Sequence, residues 1–247
     1  MNPPTEYVDL SVSDGTSMRA YVARPTGKAK AGLLVFQEAF GVNAHIRDVT
    51  ARFAREGYLA ISPELFHRTA AGFEGSYSDF NAVMPHIKGL TDAGLTADVR
   101  AAFDWLQKSD SALSIGAVGY CMGGRAACLA ALTVAVQGAV SYYGGGIGPS
   151  QMFPNLVDRL GDLKAPMLFF WGGKDEHIPA TQVGPVLDAL KKAKKTYVNV
   201  EFSDADHGFF CDARPSYNPA AAAQAWPLTL AFFNVHLMGA SKVAAQS

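Results

Sequence analysis

Three stretches of this chain pair a reactive side chain with the local residues needed to expose it. In the first, the apolar run Ile115-Gly116-Ala117-Val118 leads into Gly119-Tyr120-Cys121-Met122-Gly123-Gly124 and then into a helical pattern. Gly-x-Cys-x-Gly between a strand and a helix has the layout of a nucleophile elbow, with cysteine in the place of serine. The turn is strained, and a Cβ at either flanking glycine would collide with neighbouring strand and helix backbone. The sulfur would sit at a helix N-terminus, where unpaired amides favour an anion. Cys128, on an apolar helix without flanking glycines, reads as core.

An elbow calls for an acid and then a histidine, later in the chain and each just past a strand end. The run Met167–Trp171 leads into Gly172-Gly173-Lys174-Asp175, and Tyr197–Phe202 leads into Ser203-Asp204-Ala205-Asp206-His207. His207 is therefore the expected base, with Asp175 orienting its ring. His177 competes for the first role, but a base on the same loop as its orienting acid would hardly also reach the elbow. Asp204 and Asp206 read as loop acids. Neither Asp175-Glu176-His177 nor Asp204/Asp206/His207 has a metal-ligand spacing, so no metal is expected there.

The third stretch is Val35-Phe36-Gln37-Glu38-Ala39-Phe40-Gly41-Val42-Asn43, at the end of the first long buried strand. In an elbow architecture this loop supplies one oxyanion-hole amide and the residue after the nucleophile supplies the other, which points to Ala39 and Met122. Glu38 is then a carboxylate beside the presumed reaction centre.

These stations need a scaffold that gathers strand ends. Val8–Val12 and Met18–Ala23 alternate around Asp14-Gly15, as an antiparallel opening would. Ala31–Gln37 is continuously apolar, as in a parallel strand covered on both faces. The helix His45–Glu56 follows, stopped by Gly57, and then the strand Tyr58–Ser62. A helix over Asp92–Lys108, strands Ser114–Gly119 and Gly138–Tyr142, and a helix over Thr181–Lys194 continue the α/β alternation. Pro219 suits the first turn of a last helix, and Pro227 predicts a kink or split near Trp226. With no repeat or linker, one domain over residues 1–247 is expected.

Composition narrows the function classes. The 247 residues are 49% hydrophobic and 17% charged, as in a folded enzyme-sized unit rather than a disordered chain. Lys+Arg number 21 against 22 Asp+Glu, which leaves no footprint for nucleic acid or a membrane surface. Lys191, Lys192, Lys194 and Lys195 read as the positive end of a helix. The apolar stretch Ala126–Tyr143 is interrupted by Gln137, Gly138 and Ser141, and reads as two buried elements rather than a membrane span. Three cysteines without CxxC spacing, and an N-terminus without signal-peptide character, lead to the expectation of a reducing, cytoplasmic setting. Monomer and small homo-oligomer both remain open.

Together, Gln37-Glu38-Ala39-Phe40-Gly41-Val42-Asn43, Gly119-Tyr120-Cys121-Met122-Gly123-Gly124, Asp175, His207 and Arg214-Pro215-Ser216-Tyr217 resemble the dienelactone hydrolase family, over nearly the whole chain and in order. The resemblance implies an α/β-hydrolase fold, a mostly parallel central sheet with helices on both faces, a Cys-Asp-His triad, and neither metal nor organic cofactor. It implies that Glu38 accepts the Cys121 proton when substrate arrives, leaving a thiolate paired with His207. Attack on a small-molecule ester or lactone would give a thioester acyl-enzyme that water then hydrolyses. Arg214, Tyr143 and Phe40 are the residues expected around the substrate.

The chain departs from the best-known members at their two carboxylate-binding arginines. The segment Glu74–Leu90 contains none, and the position four after His207 is Cys211. Arg214 is the nearest replacement, with Arg68, His86 and Lys88 as further cationic or polar groups. This shifts the expectation from one dienelactone to a broader ester or lactone class. Two rivals share the same residues: a non-catalytic binding protein on this fold, and an acyltransferase whose thioester passes to an acceptor other than water. A dinucleotide site is disfavoured because the elbow is not GxGxxG, and Gly144–Ser150 reads as a loop near the site mouth.

Overall fold

The computed structural model describes residues 2–239. One sheet of eight strands runs through it in the order β1-β2-β4-β3-β5-β6-β7-β8. The strands are β1 (Thr5–Ser11), β2 (Ser17–Ala23), β3 (Ala31–Phe36), β4 (Tyr58–Pro63), β5 (Ile115–Tyr120), β6 (Gly138–Tyr142), β7 (Met167–Gly172) and β8 (Tyr197–Phe202). β1–β2 and β2–β4 pair antiparallel; every pair from β4–β3 to β7–β8 is parallel. The burial pattern explains the sequence signals. β3 to β7 are buried at every residue, so their sequences are apolar but for Ser62 in β4 and Ser141 in β6, whereas the edge strands β1 and β8 carry mostly exposed or half-buried residues.

Among the described residues, six α-helices cover the sheet: α1 (Ala44–Arg55), α2 (Phe80–Lys88), α3 (Asp92–Ser109), α4 (Met122–Thr133), α5 (Ala180–Lys192) and α6 (Pro219–Met238). They lie on both faces. A Cβ on Gly32 of β3 would touch Leu106 of α3 and its cross-strand neighbour Ile115, whereas one on Gly116, the next residue of β5, would touch Phe233 and Leu237 of α6. Consecutive strand residues point to opposite faces, so α3 and α6 flank the sheet from opposite sides. α1 joins α6, with Phe53 against Trp226 at 4.6 Å between ring centroids.

Two elements depart from the sequence expectation. α6 runs through Pro227 as one helix, so of the two expected alternatives, a kink or a split near Trp226, the split does not occur. Pro227 and Ala223, whose carbonyl loses its donor, both lie on the exposed side of the helix, so the freed carbonyl is not buried. α2 was not anticipated: it is short, Pro85 lies inside it, and only Val83 and Ile87 are buried.

The chain passes from β3 outward to β4 and returns on the other side of β3 as β5. This reversal opens a crevice at the carboxyl ends of β3 and β5, where open α/β sheets bind ligands. Phe36 pairs with Gly119, which sets the Glu38 loop beside the elbow.

Candidate active site

Cys121 occupies the step between β5 and α4 with φ 55°, a left-handed conformation that non-glycine residues rarely hold. Its backbone is fixed on both sides. Its N–H donates to the Tyr142 carbonyl at 3.1 Å, and its carbonyl accepts from Gly124 at 2.9 Å and Gly145 at 3.3 Å. A Cβ on Gly119 would strike the Gly123 carbonyl, and one on Gly123 would strike the Gln37 and Phe36 carbonyls. The glycines thus let helix α4 seat against the ends of β5 and β3.

Asp175 and His207 arrive from the ends of β7 and β8. Asp175 is 5% exposed, and its Oδ1 accepts the amides of His177 and Ile178, each at 2.9 Å. This leaves Oδ2 for His207 Nδ1 at 2.8 Å, while the far nitrogen of the ring, Nε2, lies 3.2 Å from Cys121 Sγ. The His207 amide is tied to Asp206 Oδ1 at 2.6 Å, and Asn218 donates to Asp204 Oδ2, so the neighbouring acids serve the loop. Burial by itself would lower the His207 pKa. The neighbouring Cys121 sulfur and the hydrogen bond to Asp175 outweigh it and push the imidazole from 6.5 up to about 10. Cys128 is driven the opposite way functionally: burial raises its thiol to about 12 and keeps it protonated.

Glu38 is fully buried. Its Oε1 accepts from the Tyr143 hydroxyl at 3.4 Å and faces Arg214 Nη1 at 3.5 Å, while Oε2 has no hydrogen-bond partner among the described residues. Cys121 therefore points to His207 in this conformation, and Glu38 points to Arg214 and Tyr143. Tyr143, expected at the substrate, is completely buried, with its ring 5.2 Å from that of His207. It does not line the pocket and bears on the site through Glu38 and His207.

A cavity of about 430 Å³ opens above Cys121 and His207, and Ala39, Phe40, Met122 and Arg214 are in its wall. Met122 is the first residue of α4, where an amide has no carbonyl one turn back to bond. The Arg214 guanidinium lies 5.8 Å from the ring centroids of both Phe40 and Tyr77. Arg68 instead pairs with Asp98 and Asp14, and His86 Nδ1 lies 3.0 Å from Thr69 Oγ1; neither they nor Lys88 line the cavity.

Several wall residues escaped the sequence reading. Tyr77, Phe80 and Ile87 come from the α2 region; His177, weighed in the sequence as a competing base, is also in the wall, with its ring 5.2 Å from that of His207. Asp79 capping Ala82, with Val83 and Ile87 four apart, was the available helix signal. The loop after β6 also contributes, through Gly145 and Gly146. It is held from behind by the fully buried Arg125, which donates to the Gly146 carbonyl and to Asp92. No described helix is long and apolar enough to cross a membrane.

Comparison with known proteins shows what this chain resembles as a whole. The sequence profile of the dienelactone hydrolase family matches residues 18–237. A Salmonella typhimurium protein named "Putative carboxymethylenebutenolidase" is 38% identical over 233 residues, covering 90% of this chain and 84% of its own. A Bradyrhizobium protein named "Probable 2-oxo-3-(5-oxofuran-2-ylidene)propanoate lactonase" is 30% identical over 241 residues, covering 95% of each. The crystal structure of a "Putative Dienelactone Hydrolase" from Klebsiella pneumoniae superposes with a TM-score of 0.84 at 34% identity, over 94% of this chain and 99% of that one. With its α/β-hydrolase fold and these relatives, the chain belongs to the dienelactone hydrolase family.

Proposed function

We propose that this protein hydrolyses a small carboxylic ester or lactone through Cys121 as nucleophile, His207 as acid and base, and Asp175 as the group that orients His207. The observation that carries this reading is the unbroken line from Asp175 Oδ2 to His207 Nδ1 at 2.8 Å and from His207 Nε2 to Cys121 Sγ at 3.2 Å, at the floor of a cavity. Membership of a hydrolase family supports it.

The steps follow from the charges. With its proton on His207, the Cys121 thiolate attacks the carbonyl carbon, and the Ala39 and Met122 amides stabilise the oxyanion. Each such donor is worth about 2.7–4 kcal/mol. His207 gives its proton to the departing oxygen as the thioester forms. Acylation removes the sulfur's negative charge, one of the causes that hold the proton on His207. The neutral imidazole is then available to activate water, and hydrolysis returns the thiolate–imidazolium pair. Glu38 can accept the thiol proton only from a Cys121 side chain rotated away from His207. In the conformation seen, it acts through its hold on Arg214.

The cavity wall combines aromatic and aliphatic side chains with one guanidinium, which suits a substrate with an apolar body and a single carboxylate. The lactone in the name of the Bradyrhizobium relative carries such a carboxylate. Steady-state hydrolysis of an activated aryl ester by wild type and Cys121→Ala tests the assignment. The variant is expected to fold and to lose turnover; retained turnover overturns it.

A further inference from the structure

Behind the cavity wall, a second group of side chains converges that the hydrolytic reading does not use together. Glu38, His45 and Cys211 each place a ligand-type atom so that a carboxylate oxygen, a ring nitrogen and a sulfur all lie within 4.8 Å of one another. Glu38 and Cys211 are 0% exposed and His45 is 5% exposed. Glu38 Oε2 and His45 Nε2 form no hydrogen bond with any described residue, and the polar neighbour of His45 Nδ1 is the Asp212 carboxylate at 3.4 Å. An unpaired buried polar group costs about 1–3 kcal/mol, so such a concentration on two facing side chains calls for a bound partner.

We propose that Glu38, His45 and Cys211 form a binding site for a zinc-class divalent cation. One sulfur, one imidazole and one carboxylate is a borderline-soft donor set that suits tetrahedral Zn²⁺, with a fourth position left for water. Thiolate and carboxylate together cancel the charge of the ion, which a buried site requires. The surroundings of His45 supply an independent argument. Its Nδ1 lies 3.4 Å from Asp212 Oδ1, and Asp212 is itself held by Arg52 at 3.0 Å. A carboxylate behind a histidine is the usual support of a metal-ligating imidazole, and it leaves Nε2 for the ion.

Binding forms a metal–sulfur bond and sends the Cys211 thiol proton to solvent, with no change of oxidation state. The Tyr77 hydroxyl gives up its 3.2 Å contact with Cys211 Sγ and keeps the hydrogen bond from Asn43 Nδ2 at 3.0 Å. Glu38 divides its oxygens: Oε1 stays with Tyr143 and Arg214, and Oε2 is free for the cation. The ion would thus share a carboxylate with the wall of the cavity, and the proposal stands whether or not Cys121 is the nucleophile.

The test is a Co²⁺ titration of metal-free Cys121→Ala protein, in which the elbow thiol can no longer ligate. A thiolate-to-cobalt absorption band that saturates at one equivalent, and that Zn²⁺ displaces, is expected. Adding Cys211→Ser removes the band, and adding Asp212→Asn keeps it while weakening affinity about tenfold. Absence of a saturable band overturns the proposal, as does a band that survives Cys211→Ser. Should the Cys211 variant fail to fold, the half-exposed Asp212 decides, and unchanged affinity in Asp212→Asn overturns the site.

Discussion

Arg214 Nη1 stands 3.5 Å from Glu38 Oε1, so the one guanidinium in the cavity wall is tethered to a fully buried carboxylate. Buried Glu38 costs solvation, and Arg214 offsets it, while the side chain remains 17% exposed toward the cavity. The pair places a positive charge where a substrate carboxylate would lie.

Replacing Arg214 with Gln should therefore act selectively. A charge-assisted hydrogen bond is worth about 1.5–3 kcal/mol, so kcat/KM for an anionic ester is expected to fall about 10- to 100-fold. A neutral ester of the same size should change far less. Parallel kinetics on the two esters check this, and an unchanged ratio of rates removes Arg214 from substrate binding.

Asp175→Asn should leave the fold intact and lower kcat by about 10⁴. The amides of His177 and Ile178 both donate to Oδ1, so they hold the asparagine oxygen there and turn its NH₂ toward His207 Nδ1. The ring must then present a lone pair at Nδ1 and a proton at Nε2, the wrong tautomer for a base facing Cys121. Single-turnover rates with unchanged circular dichroism would show this; near wild-type rates would mean Asp175 does not orient the base.

The raised pKa of His207 gives a stability signature with a definite sign. The folded protein holds this proton up to about pH 10, against 6.5 for an ordinary histidine. Its stabilising contribution is fully present below pH 6.5 and is lost as pH rises toward 10. In an NMR titration the His207 ring of the folded protein should stay protonated well above pH 6.5 and lose its proton near pH 10. A ring that titrates at or below pH 6.5 would contradict the description.

Gly123→Ala should destabilise the protein by about 3 kcal/mol, the upper range for forced overpacking. The added methyl group meets the carbonyls of Gln37 and Phe36, which are backbone and cannot swing aside. Urea unfolding measures the loss, and it should be accompanied by reduced turnover because the same contact sets Cys121 beside the Glu38 loop. Wild-type stability would mean the two strand ends are not held as close as described.

Legibility in the sequence followed the physics of each element. Strands β3 to β7 were readable because burial on both faces demands nearly unbroken apolar runs, and the Cys121 elbow because its glycines are sterically required. Asp175 was readable as an acid in the loop just past the apolar β7, and His207 as a histidine in the loop after β8. The helix α2 was not, since Pro85 argues against a helix and its apolar side is only two buried residues wide. Pro227 alone could not decide between a kink and a split, because its cost depends on whether the orphaned carbonyl is exposed, which only the packing of α6 decides. The tether of Arg214 to Glu38 and the meeting of His45 with Cys211 join residues far apart in the chain, and no local pattern encodes them.

The central claim is that Cys121 carries the acyl group, and trapping that intermediate tests it most directly. Protein quenched in acid during turnover of an activated ester, then digested and weighed by mass spectrometry, should carry one acyl group on the peptide containing Cys121. The adduct should build up further in His207→Gln, where water is not activated. An acyl group on another residue, or full hydrolysis by Cys121→Ala with no adduct at all, would contradict the account.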